Sequence, residues 1–216
     1  MKNTMVLLFG ILILGCTQTP IEHDAPKTVF ISGKIENPKT DIVLFRAGEG
    51  KLSISDTAYI DSTGHFSTTF NIKEEMFGYF YHGGERTSMF LVPGDSIGLF
   101  IDTKEFDETI TYQGAGAAAN NYLAKKYLIK ENATPPFKEL YSMEPDSFSE
   151  NVDGLKLLLT DHLTKYKSQK EEVARILIQE EESEILYSWA EKKLKYVKSH
   201  KFLKEKEFVT LAKNYY

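Results

Sequence analysis

The sequence predicts a mainly β fold followed by α-helices: an antiparallel β-sandwich or barrel of about eight strands, then a helical segment. Three observations carry this prediction. Apolar and polar residues alternate in short runs between Val29 and Gln113, as in half-buried strands. Turn signals separate the runs at intervals of about ten residues. Beyond Gly114 the alternation stops and apolar residues recur at helical spacing.

Residues 1–15 are predicted to be a lipoprotein signal peptide. Lys2 precedes an apolar run of about ten residues at positions 5–14, which suits a signal-peptide core and is too short to cross a bilayer as a helix. The run ends in Ile-Leu-Gly-Cys, which matches the bacterial lipobox, so Cys16 is the predicted lipidation site. Residues 16–27 are predicted to be a flexible tether. An ordinary secretory signal or a buried apolar helix is the alternative.

Residues 28–113 are predicted to be the antiparallel β domain. Asp61-Ser62-Thr63-Gly64 separates two alternating runs and predicts a hairpin, because Asp and Ser favour turn starts and Gly accepts a positive φ. Gly83-Gly84 predicts a second hairpin. Pro93-Gly94-Asp95 predicts a tight turn, and Glu108 to Gly114 is the last predicted strand. No helix is expected between these strands.

Residues 114–216 are predicted to be the helical segment. Asp146 or Ser147 is the expected N-cap of a helix whose apolar positions continue to Tyr166. A long helix is expected over residues 171–198, which contain no Gly or Pro, and a last one over 205–215. The pair Pro135-Pro136 is expected to interrupt the helices, because proline bars an α-helix from running through it.

Composition argues against several classes of function. The formal net charge is −5 and no long basic run is present, which argues against nucleic acid as a partner. The single cysteine cannot perform dithiol redox chemistry, which needs two sulfurs. The five histidines lack metal-ligand spacing, and the acidic clusters are interpreted as solvated faces. We therefore expect no metal, no cofactor and no catalytic residue.

The order of the motifs resembles that of a known family. The segments VFISGKIE, SDTAYIDSTGHFSTTF, MFLVPGDSIGLFID and ITYQGAGAAANNYLAKKYL are similar to the N-terminal domain of unknown function of bacterial thioredoxin/redoxin (AhpC/TSA-like) thiol-disulfide oxidoreductase lipoproteins. The similarity extends over about residues 28–205. The positions that match its pattern are Gly33, Asp56, Gly64, Phe66, Pro93, Gly94, Asp95, Gly114, Asn121 and Tyr122.

The resemblance implies a lipoprotein but transfers no catalytic residue. In that family a thioredoxin fold with a WCxxC motif follows the helical linker, whereas this sequence has no CxxC and reaches Tyr216 at that point. Two interpretations stay open. The chain is either the family's anchoring and spacing module used alone, or a truncated thiol-disulfide oxidoreductase.

An aromatic strand is the remaining candidate for a binding surface. In Met-Phe-Gly-Tyr-Phe-Tyr-His, alternation places Tyr79 and Tyr81 on one face and Phe80 and His82 on the other. Core packing explains such a run in most proteins, and an exposed tyrosine platform for a glycan or a partner protein is the alternative. Tyr79, Tyr81 and His82 are therefore the candidate contacts.

Together these features predict a membrane-anchored lipoprotein in the cell envelope of a Gram-negative bacterium, acting as a recognition or spacer module. Thr17 follows the cysteine instead of the Asp that retains some lipoproteins at the inner membrane, which favours the outer membrane, facing the periplasm. The expected partners are the membrane, through the N-terminal lipid, and an envelope protein or glycan. The alternative hypothesis is a cell-envelope binding protein for a glycan or small ligand.

Overall fold

The computed structural model describes residues 27–169 and 174–203. Within these ranges the chain forms eight strands in two four-stranded sheets. They are β1 (Lys27–Glu36), β2 (Ile42–Ala47), β3 (Ile54–Tyr59), β4 (His65–Ile72), β5 (Met76–His82), β6 (Glu85–Leu91), β7 (Ser96–Asp102) and β8 (Thr111–Gly114). The predicted signal peptide, Cys16 and the helix predicted over 205–215 lie outside the described residues. So does the predicted tether, except Lys27, where β1 begins.

The eight strands form a sandwich, as the sequence predicts. The first sheet has the order β4-β1-β7-β8 and the second the order β3-β2-β5-β6, and the two are not closed into a barrel. Phe66 of the first sheet stacks on Phe80 of the second, with ring centroids 5.8 Å apart. Gly33 leaves room for the Phe66 ring, because a Cβ there would lie 2.7 Å from that ring.

One strand pairing departs from the antiparallel prediction. β1 and β7 run parallel, with Phe30 opposite Ser96 and Glu36 opposite Asp102. The chain leaves β6 in the second sheet and crosses to the first, where it enters beside β1 in the same direction. Alternation along a sequence fixes which face of a strand is apolar. It does not fix the direction of the neighbouring strand.

The turn at residues 61–64 forms, but the hairpin predicted around it is wrong. The Asp61 carboxylate accepts a hydrogen bond from the Thr63 N–H at 2.8 Å, and Gly64 has a φ of 86°. The strands on either side separate, because β3 pairs with β2 in one sheet and β4 with β1 in the other. The hairpin at Gly83-Gly84 is confirmed, with both φ angles positive, as a type I′ turn requires.

Five α-helices follow or interrupt the strands in the described part of the chain: α1 (Phe106–Thr109), α2 (Ala117–Ala133), α3 (Phe137–Ser142), α4 (Pro145–Lys167) and α5 (Arg175–Leu203). The expectation that no helix lies between the strands is wrong, because the one-turn α1 lies between β7 and β8, where it replaces the start of the predicted last strand and buries Phe106. The break at Pro135-Pro136 is confirmed.

The N-cap of α4 is Glu144 rather than Asp146 or Ser147, because Pro145 already has the backbone φ of a first helical residue. In the ranges described, none of these helices has the length and apolar composition of a membrane span.

The helices cover only part of the outer face of the second sheet. Phe77 and Phe90 are cross-strand partners on that face, and their rings meet edge to face at 5.0 Å. Phe90 is fully buried in an apolar cluster with residues of α2, α4 and α5, including Leu123, Leu159 and Leu177. The rest of the outer face, further along β5, is open to solvent. This uncovered area carries the candidate site.

Candidate functional site

The candidate surface is the uncovered outer face of the second sheet. The register places Arg46 of β2 opposite Tyr79 of β5, and Arg86 of β6 opposite Tyr81. Because successive side chains alternate between the two faces of a strand, these four point away from the core. We name them together the Tyr–Arg face. Leu44 is the remaining neighbour of Tyr81.

The two tyrosines form a small aromatic platform. Their ring centroids are 6.0 Å apart with an interplanar angle of 51°, and Tyr79 is 40% exposed. Phe80, between them in sequence, is fully buried in the sandwich core. The alternation seen in the sequence therefore places Tyr79 and Tyr81 on one face, as predicted.

An exposed arginine lies over each tyrosine ring. The Arg86 guanidinium carbon is 4.9 Å from the Tyr79 ring centroid, and that of Arg46 is 5.7 Å from the Tyr81 ring centroid. Both distances fall within the range of cation–π attraction. In residues 27–169 and 174–203, no carboxylate lies within 4.0 Å of either guanidinium. The arginine N–H donors thus have no acidic partner there.

The surroundings of the Tyr–Arg face are asymmetric in charge. The outward positions of the four strands in this sheet include no Asp or Glu. At one end, however, the face adjoins a groove of about 720 Å³ that Arg46 and Tyr79 share with Glu49 and Glu74. Both of these glutamates are exposed. The face is therefore cationic, and the adjoining groove is acidic.

His82, the third predicted contact residue, lies on the other side of the sheet. It is 3% exposed. Its Nε2 accepts a hydrogen bond from the Lys39 backbone N–H at 2.9 Å, so Nδ1 carries the proton and donates to the Ile42 carbonyl oxygen at 3.0 Å. Both ring nitrogens are thus occupied in holding the connection between β1 and β2. The structure separates His82 from Tyr79 and Tyr81, and brings the two arginines to them instead.

Two consecutive asparagines attach α2 to both sheets. The Asn120 side chain accepts from the Phe90 N–H at 2.9 Å and donates to the Phe90 carbonyl oxygen at 2.9 Å. Asn121 makes the same pair of bonds with Tyr112, at 2.9 and 2.8 Å. Phe90 lies on edge strand β6 and Tyr112 on edge strand β8. Each amide therefore takes the place of a missing neighbouring strand, one in each sheet.

A buried polar network joins α2 to α5. The Tyr122 hydroxyl donates to Glu181 at 2.7 Å, and Lys126 Nζ lies 2.7 Å from a Glu181 oxygen. Lys126 also pairs with Glu184, which lies 2.9 Å from Lys130. Burial raises the pKa of Tyr122, reinforced by Glu181. Burial acts to raise the pKa of Glu184, but Lys126 and Lys130 outweigh it and lower that pKa below its usual value.

Several residues that match the family pattern have structural positions. The Asp95 carboxylate accepts from the Val92 N–H at 2.9 Å and so closes the turn before β7; burial raises the pKa of this carboxyl. A Cβ at Gly114, where φ is 86°, would lie 2.3 Å from the Ser96 carbonyl oxygen. Asp56 accepts a hydrogen bond from Thr68 across the sandwich. These residues hold turns and close approaches, away from the Tyr–Arg face.

Acidic side chains also gather beside α1. Partial burial raises the pKa of Asp107 to about 6, and the nearby Glu131, Glu108 and Glu85 carboxylates add to the effect. Across the described ranges, no group of three or more His, Cys, Asp or Glu side chains has a geometry that could hold a metal ion.

Comparisons with known proteins give little further information. No protein-family model matches the sequence, and no curated protein matches it. One matching solved structure is that of "a putative cell adhesion protein" from Bacteroides ovatus ATCC 8483, with 9% sequence identity and a TM-score of 0.29. The match covers 42% of this chain and 43% of that one. A similarity this low carries no argument about fold or function.

Proposed function

We propose that this protein is a non-catalytic recognition module, tethered to a bacterial membrane through a lipid on Cys16, which binds a cell-envelope glycan on its Tyr–Arg face. The observation that carries the proposal is the adjacent pair of tyrosines, Tyr79 exposed and Tyr81 half-buried, with two arginines that have no acidic partner among the described residues. The resemblance to thioredoxin-like lipoproteins supports the anchored location. It supplies no redox chemistry, since the single cysteine is assigned to the lipid.

The composition of the Tyr–Arg face favours binding. Tyrosine offers a large, rigid contact area with an apolar ring and a polar tip, and loses little conformational entropy when it binds. Tyr and Arg are also enriched among the residues that dominate binding energies. Sugars present apolar C–H faces and polar hydroxyl edges, which complement a ring and its hydroxyl group. The β-sheet beneath the face fixes the backbone positions of its four residues relative to one another.

Replacing Tyr79 or Tyr81 by alanine is expected to weaken glycan binding by about tenfold in each case, because each ring contributes on the order of 1–2 kcal/mol of contact energy. The measurement is binding of the full chain to an array of neutral and acidic envelope glycans. Tyr187→Ala is the matched control, since Tyr187 is 71% exposed on α5, away from the sheet. Unchanged melting temperatures would show that the fold is intact. Binding that survives the Tyr79→Ala, Tyr81→Ala double variant would contradict the proposal.

The lipid anchor is tested separately. Cells expressing the full chain and fed an alkyne analogue of palmitate are expected to label the wild-type protein but not the Cys16→Ala variant. The labelled form should remain with the membrane fraction, because several acyl chains in one leaflet hold a protein almost permanently. Mass spectrometry that finds residues 1–15 still attached to the mature protein would contradict the anchor.

A further inference from the structure

We infer that the ligand of the Tyr–Arg face is an acidic glycan, bound through two of its carboxylates, one at Arg46 and one at Arg86. This inference rests on the proposed function and narrows its ligand class. It is carried by the position, exposure and lack of acidic partners of the two guanidinium groups.

Each guanidinium is placed to bind an anion rather than to stabilise the fold. Both arginines are exposed, and each lies over the ring of a tyrosine on the neighbouring strand. The N–H groups of a guanidinium lie in the plane of that group. An arginine whose guanidinium lies over an aromatic ring can therefore still donate two hydrogen bonds from its edge to one carboxylate. The tyrosines thus restrict the arginines before the ligand arrives, which lowers the entropy lost on binding.

The strand register sets the separation of the two cationic positions. Arg46 and Arg86 flank β5 on opposite sides, and they pair with residues two apart along it. With strands about 4.8 Å apart and a rise of about 3.4 Å per residue, their Cα atoms are separated by about 12 Å, diagonally across the strands. The two guanidinium groups lie over different tyrosine rings, whose centroids are 6.0 Å apart, so each is expected to bind a carboxylate of its own. A chain of acidic sugars presents carboxylates at repeated intervals and can supply both.

The charge distribution favours one position for such a chain. The protein has a formal net charge of −5, yet the outward positions of this sheet carry no acidic residue. Glu49 and Glu74 line the groove beside Arg46 and repel a polyanion at that end. The ligand is therefore expected to extend from Arg46 across β5 towards Arg86, away from the groove.

The test measures binding of the full chain to polygalacturonate, alginate and hyaluronate, with fully methyl-esterified polygalacturonate as the uncharged counterpart. Arg46→Gln and Arg86→Gln are each expected to weaken binding to the preferred polyuronate by about fivefold, and the double variant by about twentyfold. Arg175→Gln, an exposed arginine on α5, is the matched control and should change nothing. Binding should weaken as salt rises, since exposed charges are screened.

Several results would overturn the inference. These are equal affinity for polygalacturonate and its methyl ester, no binding to any of the three acidic polysaccharides, or an arginine double variant that binds like the wild type. Binding to polyglutamate but to no polyuronate would indicate an acidic peptide instead. If the arginine variants bind normally while the tyrosine variants lose binding to a neutral glycan, the proposed function stands and only the acidic ligand is wrong. If the tyrosine variants also bind normally, the proposed function itself fails.

Discussion

Replacing Asn120 by alanine is expected to lower the free energy of unfolding by about 2–4 kcal/mol. Asn120 is fully buried, and its amide satisfies both the N–H and the carbonyl group of Phe90, together with the Gly116 carbonyl oxygen at 2.8 Å. Alanine leaves the two Phe90 groups without these partners beneath α2. Each buried backbone group that loses its hydrogen bond costs about 1–3 kcal/mol. Because the site is fully buried, water cannot readily replace the lost partner.

Asn121→Ala is the matched control for that measurement. Asn121 makes the same pair of bonds with Tyr112, but it is exposed, so water can replace the lost amide. We expect a loss of about 1 kcal/mol in urea unfolding followed by circular dichroism. An Asn120→Ala loss no larger than that of Asn121→Ala would contradict the role assigned to the buried amide.

Replacing Lys126 by methionine is expected to destabilise the protein by about 2–4 kcal/mol at neutral pH, because it leaves the Glu181 carboxylate without its cation. Glu181 is 3% exposed, so water cannot solvate the charge that remains. The Tyr122 hydroxyl would still donate a hydrogen bond to Glu181, which limits the loss of stability. The double variant Lys126→Met, Glu181→Leu removes both charges, and should be more stable than the single variant.

The same network predicts part of the response to acid. The pKa of Glu184 is lowered in the folded protein, because Lys126 and Lys130 outweigh the effect of burial. A lowered pKa stabilises the fold above the unfolded value, near 4.5, and that contribution is lost as pH falls from there through the folded value. The free energy of unfolding of Lys126→Met should therefore fall less than that of the wild type as the pH is lowered from 5 through the folded pKa of Glu184. Chemical unfolding at each pH measures this. The same dependence of unfolding free energy on pH in both proteins would contradict a contribution of the ion pair to stability.

The sandwich could be predicted because alternation and turn residues are patterns of neighbouring residues in the sequence. Alternation distinguished Tyr79 and Tyr81 from Phe80 and His82, and glycines marked the turn at residues 83–84. Strand pairings that depend on residues far apart in the sequence were not predictable. The turn at Asp61 has the chemistry of a hairpin, but whether the strands beyond it stay paired depends on β1 and β2, which compete for them.

The candidate site was half predictable for the same reason. The tyrosines are two residues apart on one strand, so alternation alone brings them together. Arg46 and Arg86 reach them from two other strands, and only the cross-strand register, with Arg46 opposite Tyr79 and Arg86 opposite Tyr81, shows the juxtaposition. Phe90, between the buried Met89 and Leu91, breaks alternation because α2 covers the outer face there.

Hydroxyl-radical footprinting of the full chain, with and without polygalacturonate and with the modified residues identified by mass spectrometry, tests the binding surface most directly. The ligand is expected to protect Tyr79 and Tyr81, while Tyr187, which is 71% exposed on α5, is modified at an unchanged rate. Protection of Tyr187 with no change at Tyr79 and Tyr81 would place the binding site elsewhere and contradict the proposed surface.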